Sequence, residues 1–178
     1  MSEHAAAASA AKPYVHFALG DVACAMPLAA IAGVRLLGEF ELRDARGERV
    51  HDGVSLDGHV GVAERQHYAA WDLCRLLGIE RASFGCWLLL HVQRGTARVP
   101  LALRVGKCLA VHAVEPSGAL PASVFRARRR AISAVFDPRP FAHLASSVIG
   151  VLCDPAQLFS AEELAESVQR VERFGRRA

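Results

Sequence analysis

Cys86-Trp-Leu-Leu-Leu-His-Val92 is a continuous apolar run of strand length, followed by Gln93-Arg-Gly95-Thr96 and then by Ala97-Arg-Val-Pro-Leu-Ala-Leu-Arg-Val105. Two such runs joined by a short Gly-containing segment read as a β-hairpin. Outward from it, Gly106-Lys107 breaks the chain, and Cys108 to Val114 forms another strand before Glu115-Pro-Ser-Gly118. On the N-terminal side Tyr68-Ala-Ala-Trp71 reads as strand. Asp72-Leu-Cys-Arg-Leu-Leu77-Gly78 then reads as one or two helical turns, with Asp72 capping the first amides and Gly78 closing the end.

The chain opens on the same logic. Val15, Phe17 and Leu19 alternate with Tyr14, His16 and Ala18, the period of a half-buried strand. Gly20-Asp21 supplies a turn, Val22 to Met26 the second arm of a hairpin, and Pro27 ends it. Leu28, Ile31 and Val34 are spaced three apart, which predicts one or two turns of helix before Arg35-Leu-Leu37 continues as strand. Glu39 to Arg43 and Arg49 to His51 flank Asp44-Ala-Arg-Gly47, a turn with Gly where positive φ is tolerated, so a further hairpin is predicted there. Asp52 to Gln66 has the weakest periodicity and receives no assignment.

Toward the C-terminus, Pro138 and Pro140 bracket a loop, and Ser147-Val-Ile-Gly-Val-Leu-Cys153 is a last apolar strand running into Asp154-Pro155. Ser160 and Glu163 have the spacing of a capping box, and Leu164, Val168, Val171 and Phe174 make one apolar stripe, which predicts a helix over 160–174. Short strands punctuated by Gly and Pro, then one terminal helix, predict an all-β barrel or sandwich with a helical appendage.

At 178 residues the chain fits one domain, or one compact unit of two small subdomains. An apolar fraction of 52% excludes wholesale disorder, and no run of about 18 apolar residues is present to insert into a membrane. Residues 1–13 read as a flexible Ala-rich tail without the basic start and apolar stretch of a secretory signal. The five cysteines Cys24, Cys74, Cys86, Cys108 and Cys153 are odd in number, widely spaced and set among apolar neighbours, the pattern of buried free thiols in a reducing cytoplasm. A formal net charge of +3 does not imply nucleic acid. The one basic run, Arg126, Arg128, Arg129 and Arg130, reads as a solvated loop or strand edge.

Catalytic signatures are missing. No Gly-x-Ser-x-Gly elbow, phosphate loop or Cys-x-x-Cys occurs, and the eight histidines include no i, i+4 pair with an intervening Glu. Apolar surroundings raise thiol pKa rather than activate it, which argues against Cys-His catalysis. Trp71 and Trp87 stand inside apolar runs and read as core or subdomain-interface residues. Glu162-Glu163 suit a helix start. The residues therefore favour binding over catalysis, with no cofactor, no metal and no catalytic residue assigned.

The order of elements resembles a known family. Tyr14-Val-His-Phe-Ala-Leu-Gly-Asp21, a second strand, and Pro27-Leu-Ala-Ala-Ile-Ala-Gly-Val34-Arg35 resemble the start of CheW-like domains, with Gly33 at the family's acidic position. Gly53-Val-Ser-Leu56-Asp57-Gly58 resembles the family's Gly-Val-x-Asn-Leu-Arg-Gly segment with one residue lost. Ala70-Trp-Asp72-Leu73 with Leu76-Leu-Gly78 resembles its Val-Val-Asp-Leu and Leu-Gly. Ala97 to Val105 with Cys108 to Val114, Ser147 to Asp154, and Leu158-Phe-Ser-Ala-Glu-Glu-Leu164 resemble its second-half hairpin, closing strand and terminal helix.

This resemblance implies a pair of five-stranded SH3-like barrels sharing an apolar interface, interleaved within residues 14–159, plus the C-terminal helix over 160–174. It also implies a cytoplasmic, non-enzymatic adaptor that couples a histidine kinase's regulatory domain to the cytoplasmic tips of chemoreceptors. By the same analogy the partner surface is Ile31, Val34 and Leu36 with Val54, Leu56, Asp57 and Gly58, facing the groove between the barrels. Asp57 stands where the family carries an Arg near its receptor contact, a charge reversal set against ordinary receptor docking. The alternatives are an orphan CheW-like module serving a motility or polarity assembly, and a His-rich metal- or ligand-binding β-barrel. Elemental analysis of the purified protein separates the last of these: no stoichiometric zinc or copper is expected, and its presence overturns the cofactor-free reading.

Overall fold

The computed structural model describes residues 12–51, 56, 58–80, 83–118, 129–141 and 149–176. The chain begins with β1 (Pro13–Leu19) and β2 (Val22–Pro27), passes a 3₁₀ turn at Leu28–Ala30, and continues as β3 (Ile31–Leu36), β4 (Glu41–Arg43) and β5 (Arg49–Val50). Then come β6 (Val60–Ala63), β7 (Gln66–Asp72), α1 (Leu73–Leu77), β8 (Cys86–Arg94) and β9 (Ala97–Val105). The last elements are β10 (Lys107–Ala113), β11 (Ile132–Phe136), β12 (Gly150–Cys153) and α2 (Ala161–Gly175). Residues 1–11 of the expected Ala-rich tail lie outside the described residues, as do Arg126 and Arg128 of the basic run.

The strands form two sheets. One has the order β10-β1-β2-β12-β11, so it joins the two ends of the chain; the other has the order β3-β8-β9-β7-β6-β4-β5 and comes from the middle. Its first five strands are one contiguous set, and the β4–β5 hairpin extends its edge. Each sheet contains one parallel pairing, β12 with β2 and β7 with β9, because in each case a crossover returns the chain to a strand already placed.

Side-chain alternation explains how the sheets meet. On β8, Cys86, Leu88, Leu90 and Val92 point into a core shared with the other sheet, where they join Val15, Phe17, Leu19, Cys24 and Met26 of β1 and β2. Trp87 and Leu89 point the opposite way, into a second cluster with Phe40, Leu42, Leu56 and Tyr68. A strand buried on both faces has no use for alternating polar residues, which is why Cys86 to Val92 reads as an unbroken apolar run. The first sheet repeats the scheme on a smaller scale: Ala23, Ala25, Val114, Phe136 and Leu152 line its own interior.

Three local readings need correction. The Ile31–Val34 segment is strand from Ile31 onward, and only Leu28–Ala30 is helical, as a single 3₁₀ turn. The i, i+3 spacing there is overridden by antiparallel pairing to β8, with Val34 opposite Leu88 and Leu36 opposite Cys86. The unassigned stretch to Gln66 contains half of a hairpin, since Ala63 pairs with Gln66 around a two-residue loop of Glu64 and Arg65. Both have positive φ, 50° and 67°, the geometry of a type I′ turn that usually advertises itself with Asn or Gly. Last, the closing strand begins at Gly150; Ser147 and Val148 lie outside the described residues.

The two helices are capped as their sequences require. Asp72 accepts from the amides of Cys74 and Arg75, and Gly78 closes α1 in the left-handed region at φ 68°. Ser160 and Glu163 form a reciprocal capping box on α2. Helix α2 packs against the second sheet: Trp71 Nε1 donates to Ser167 Oγ at 3.1 Å, and the Arg170 guanidinium lies 4.9 Å from the Trp71 ring centre. Among the described residues no helix is long and apolar enough to cross a membrane.

One buried ion pair ties these parts together. Asp72 Oδ2 accepts from Arg104 Nη2 at 2.8 Å while its Oδ1 caps α1, and the Arg104 guanidinium lies 3.9 Å from the Phe84 ring centre. The two residues are register partners in the parallel β7–β9 ladder. Arg104 is only 1% exposed, so removing one partner leaves a buried charge uncompensated. Arg104→Ala is expected to lower unfolding free energy by about 3–5 kcal/mol, measured by urea denaturation with an unchanged slope. A loss below about 1 kcal/mol contradicts the structural role.

Candidate functional site

Among the described residues β3 is an edge strand, hydrogen-bonded only to β8. Its side chains alternate: Ile31, Gly33 and Arg35 are half-buried, whereas Ala32, Val34 and Leu36 face outward. Ile31 packs against the shared core. The opposite sheet presents its own edge, β10, nearby. Between the two edges runs a groove of about 430 Å³ lined by Val15, Leu28, Ile31, Ala32, Gly33, Val34, Cys108, Ala110 and Val111.

The lining is almost wholly apolar. Among the described residues the large apolar side chains left exposed are Leu28 (37%), Val34 (37%), Leu36 (60%), Val111 (51%) and Ile149 (48%). Three of these line the groove, and Leu36 prolongs it along β3. Exposed apolar residues scattered singly need no explanation, but a cluster along one cleft marks a binding surface. Polar groups frame it: Arg35 pairs with Glu64 across from the β6–β7 turn and donates to the Val34 carbonyl at 2.8 Å, and the Leu36 amide donates to Glu39 Oε2 at 3.0 Å. An apolar floor with a charged rim is the anatomy of a protein-binding patch.

The residues proposed from the sequence divide. Ile31 and Val34 are in the groove wall and Leu36 continues it. Leu56 is 5% exposed and packs inside the second sheet with Phe40 and Leu42, so its side chain does not face the groove. Gly58, at φ 81°, lines a separate cavity with Ala45, Arg170, Arg173 and Phe174 beside α2. Val54 and Asp57 lie outside the described residues. The groove therefore holds the first expected segment but neither described residue of the second. Nothing in the sequence marks Leu28, Ala110 and Val111 as groove residues, because an apolar residue that faces solvent is written like one that faces the core.

The histidines do not converge: among the described residues no three of His, Cys, Asp and Glu are grouped to hold a metal ion. His16 is buried in the first sheet's interior, its ring 5.5 Å from those of His112 and Phe136. Trp87 is fully buried in the interior of the second sheet, and Trp71 is half-buried beneath α2.

The placements make a mutational contrast. Leu56→Ala is expected to lower stability by about 2–5 kcal/mol, as a buried truncation, while Leu36→Ala stays within about 0.5 kcal/mol. Equal effects in chemical denaturation contradict the assignment of one to the interior and the other to the surface.

No family model matches the sequence, and no curated protein matches it. The structure is similar to that of the scaffolding protein TtCheW from Thermoanaerobacter tengcongensis, with a TM-score of 0.57 at 11% sequence identity, covering 85% of this chain and 94% of that one. At that identity the likeness is one of architecture: the chain has the CheW-like fold, two SH3-like β units that share an apolar interface and carry a C-terminal helix.

Proposed function

We propose that the protein is a cytoplasmic, non-enzymatic adaptor that couples the regulatory domain of a chemosensory histidine kinase to a chemoreceptor tip or a related signalling complex. The observation that carries this reading is the line of exposed apolar side chains, Leu28, Val34, Leu36 and Val111, along a groove between two sheet edges. Edge strands offer unpaired backbone groups, and an apolar cleft beside them receives a partner's strand or helix by burying its side chains. A fold shared with a scaffolding protein over most of both chains supports the same role.

A second reading keeps the adaptor and changes the partner. In the sequence, Asp57 replaces the Arg that the resemblance places near a receptor contact, and the described residues beside it, Leu56 and Gly58, lie away from the groove. An orphan module serving a motility or polarity assembly accounts for that change.

Titration of the folded protein against a kinase regulatory domain and against a receptor tip distinguishes the readings. Binding to both supports the coupling role, and binding to the kinase domain alone favours the orphan module. Binding to neither sinks the chemosensory role. Val34→Glu and Leu36→Glu are each expected to weaken the interaction at least about tenfold, the loss of about 1.4 kcal/mol or more that a buried apolar contact supplies, without altering the circular dichroism spectrum.

A further inference from the structure

Pairing to β8 fixes which backbone groups of β3 face the open edge. The Leu37 amide donates to the Gly85 carbonyl at 3.4 Å, and in an antiparallel ladder the N–H and C=O of one residue point the same way, alternating along the strand. Arg35, opposite Trp87, therefore turns its backbone groups toward β8, while Val34 and Leu36 turn theirs outward. Those outward groups are taken. The Val34 carbonyl accepts from Arg35 Nη1 at 2.8 Å, and the Leu36 amide donates to Glu39 Oε2 at 3.0 Å. The Leu36 carbonyl accepts from the Glu39 amide at 3.1 Å, across a turn that Gly38 closes at φ 89°. Among the described residues, Val34 and Leu36 are left with only the Val34 N–H to offer a neighbouring strand.

The surroundings hold these contacts in place. Arg35 Nη2 pairs with Glu64, which keeps the guanidinium over the strand. Glu64 stands with Arg65 in the two-residue β6–β7 turn at φ 50° and 67°, backbone that residues other than glycine seldom adopt, and this turn carries its carboxylate to Arg35. A Cβ on Gly33 would lie 3.4 Å from Arg35 Nη1, so the bare backbone there leaves the guanidinium room. At the start of β3 the register slips between Ile31 and Gly33, a bulge that interrupts the ladder where no side chain covers it.

We propose that Glu39 and Arg35, the latter braced by Glu64, are edge caps that keep β3 from pairing with β3 of a second copy of this chain. Symmetry names the occupant. An antiparallel pair of identical strands about Val34 joins each Val34 N–H to the Val34 C=O of the other copy and brings together Val34 and Leu36, both apolar and exposed. Arg35 sits on that acceptor in each copy, and Glu39 holds the next outward donor, the Leu36 amide. Apolar edge strands pair with one another unless charged side chains or bulges intervene, and β3 carries both. The caps act on the backbone and leave the Val34 and Leu36 side chains uncovered. The groove thus stays open to a partner's side chains while ladder pairing is blocked, whichever partner that is.

The test compares the full chain with the double variant Glu39→Ala/Arg35→Ala by sedimentation equilibrium and amide hydrogen exchange. The unaltered chain is expected to be monomeric, with slow exchange at the Leu36 amide. The double variant, if folded by circular dichroism, is expected to dimerise at a concentration at least about tenfold below the highest at which the unaltered chain is still monomeric, its Val34 amide gaining protection as the dimer forms. Adding Val34→Pro removes the outward N–H without costing a bond to β8 and is expected to restore the monomer. Glu39→Gln, whose side-chain oxygen still accepts from the Leu36 amide, is expected to stay monomeric. Should the double variant not fold, Glu39→Ala alone carries the same expectation with a smaller shift. A folded, uncapped variant that remains monomeric overturns the proposal. So does a dimer that survives Val34→Pro, or an unaltered chain that dimerises with its Val34 amide protected.

Discussion

Burial of the β8–β9 hairpin on both faces is the constraint from which the architecture follows. One face of β8 carries Leu88 and Leu90 into the core shared by the sheets, and the other carries Trp87 and Leu89 into the interior of its own sheet. Each such side chain gains about 1.5–3 kcal/mol from leaving water, so neither face can be surrendered without losing a large part of a typical domain's net stability. The two sheets must therefore stay together, and the strands that cover β8 on its outer side come from both ends of the chain. That is why β1, β2, β11 and β12 share a sheet although more than a hundred residues separate β2 from β11.

The Asp72–Arg104 pair works inside that frame. Its geometry meets the demand of a buried charge: one carboxylate oxygen accepts from the guanidinium, the other from the α1 amides, and Phe84 covers the cation. A single carboxylate thus sets the β7–β9 register and starts the helix that sends Leu73, Cys74, Leu76 and Leu77 into the core. The cap at Asp72 is legible in the sequence and its partner is not, since nothing local distinguishes Arg104 from a solvated arginine on a strand.

The groove is a by-product of how the sheets join. Two edges, β3 and β10, end beside each other, and among the described residues neither is covered by a further strand. Glu39 occupies the Leu36 amide and the Arg35–Glu64 pair stands beside the edge, so polar groups partly blunt it. Between them the apolar wall stays open. The same junction brings Gly85 and Gly106 into backbone contact, so the groove and the close approach of the two glycines share one structural origin.

Local patterns alone determined much of this protein: the opening hairpin with Gly20, the Asp72 and Gly78 ends of α1, the β8–β9 hairpin, and the capping box and apolar stripe of α2. Each depends on residues close in the chain, where periodicity and turn chemistry act directly. The strand at Ile31 and the Glu64-Arg65 turn were hidden for the opposite reason. A partner strand more than fifty residues away imposed the first, and two non-glycine residues adopted positive φ in the second because the flanking strands pair. Tertiary structure also decided that Leu56 is interior, that Gly58 belongs beside α2, and that Leu28 and Val111 join Ile31 and Val34 in one groove. An apolar residue reads the same in sequence whether it packs or stands in solvent; only the closure of the two sheets settles which.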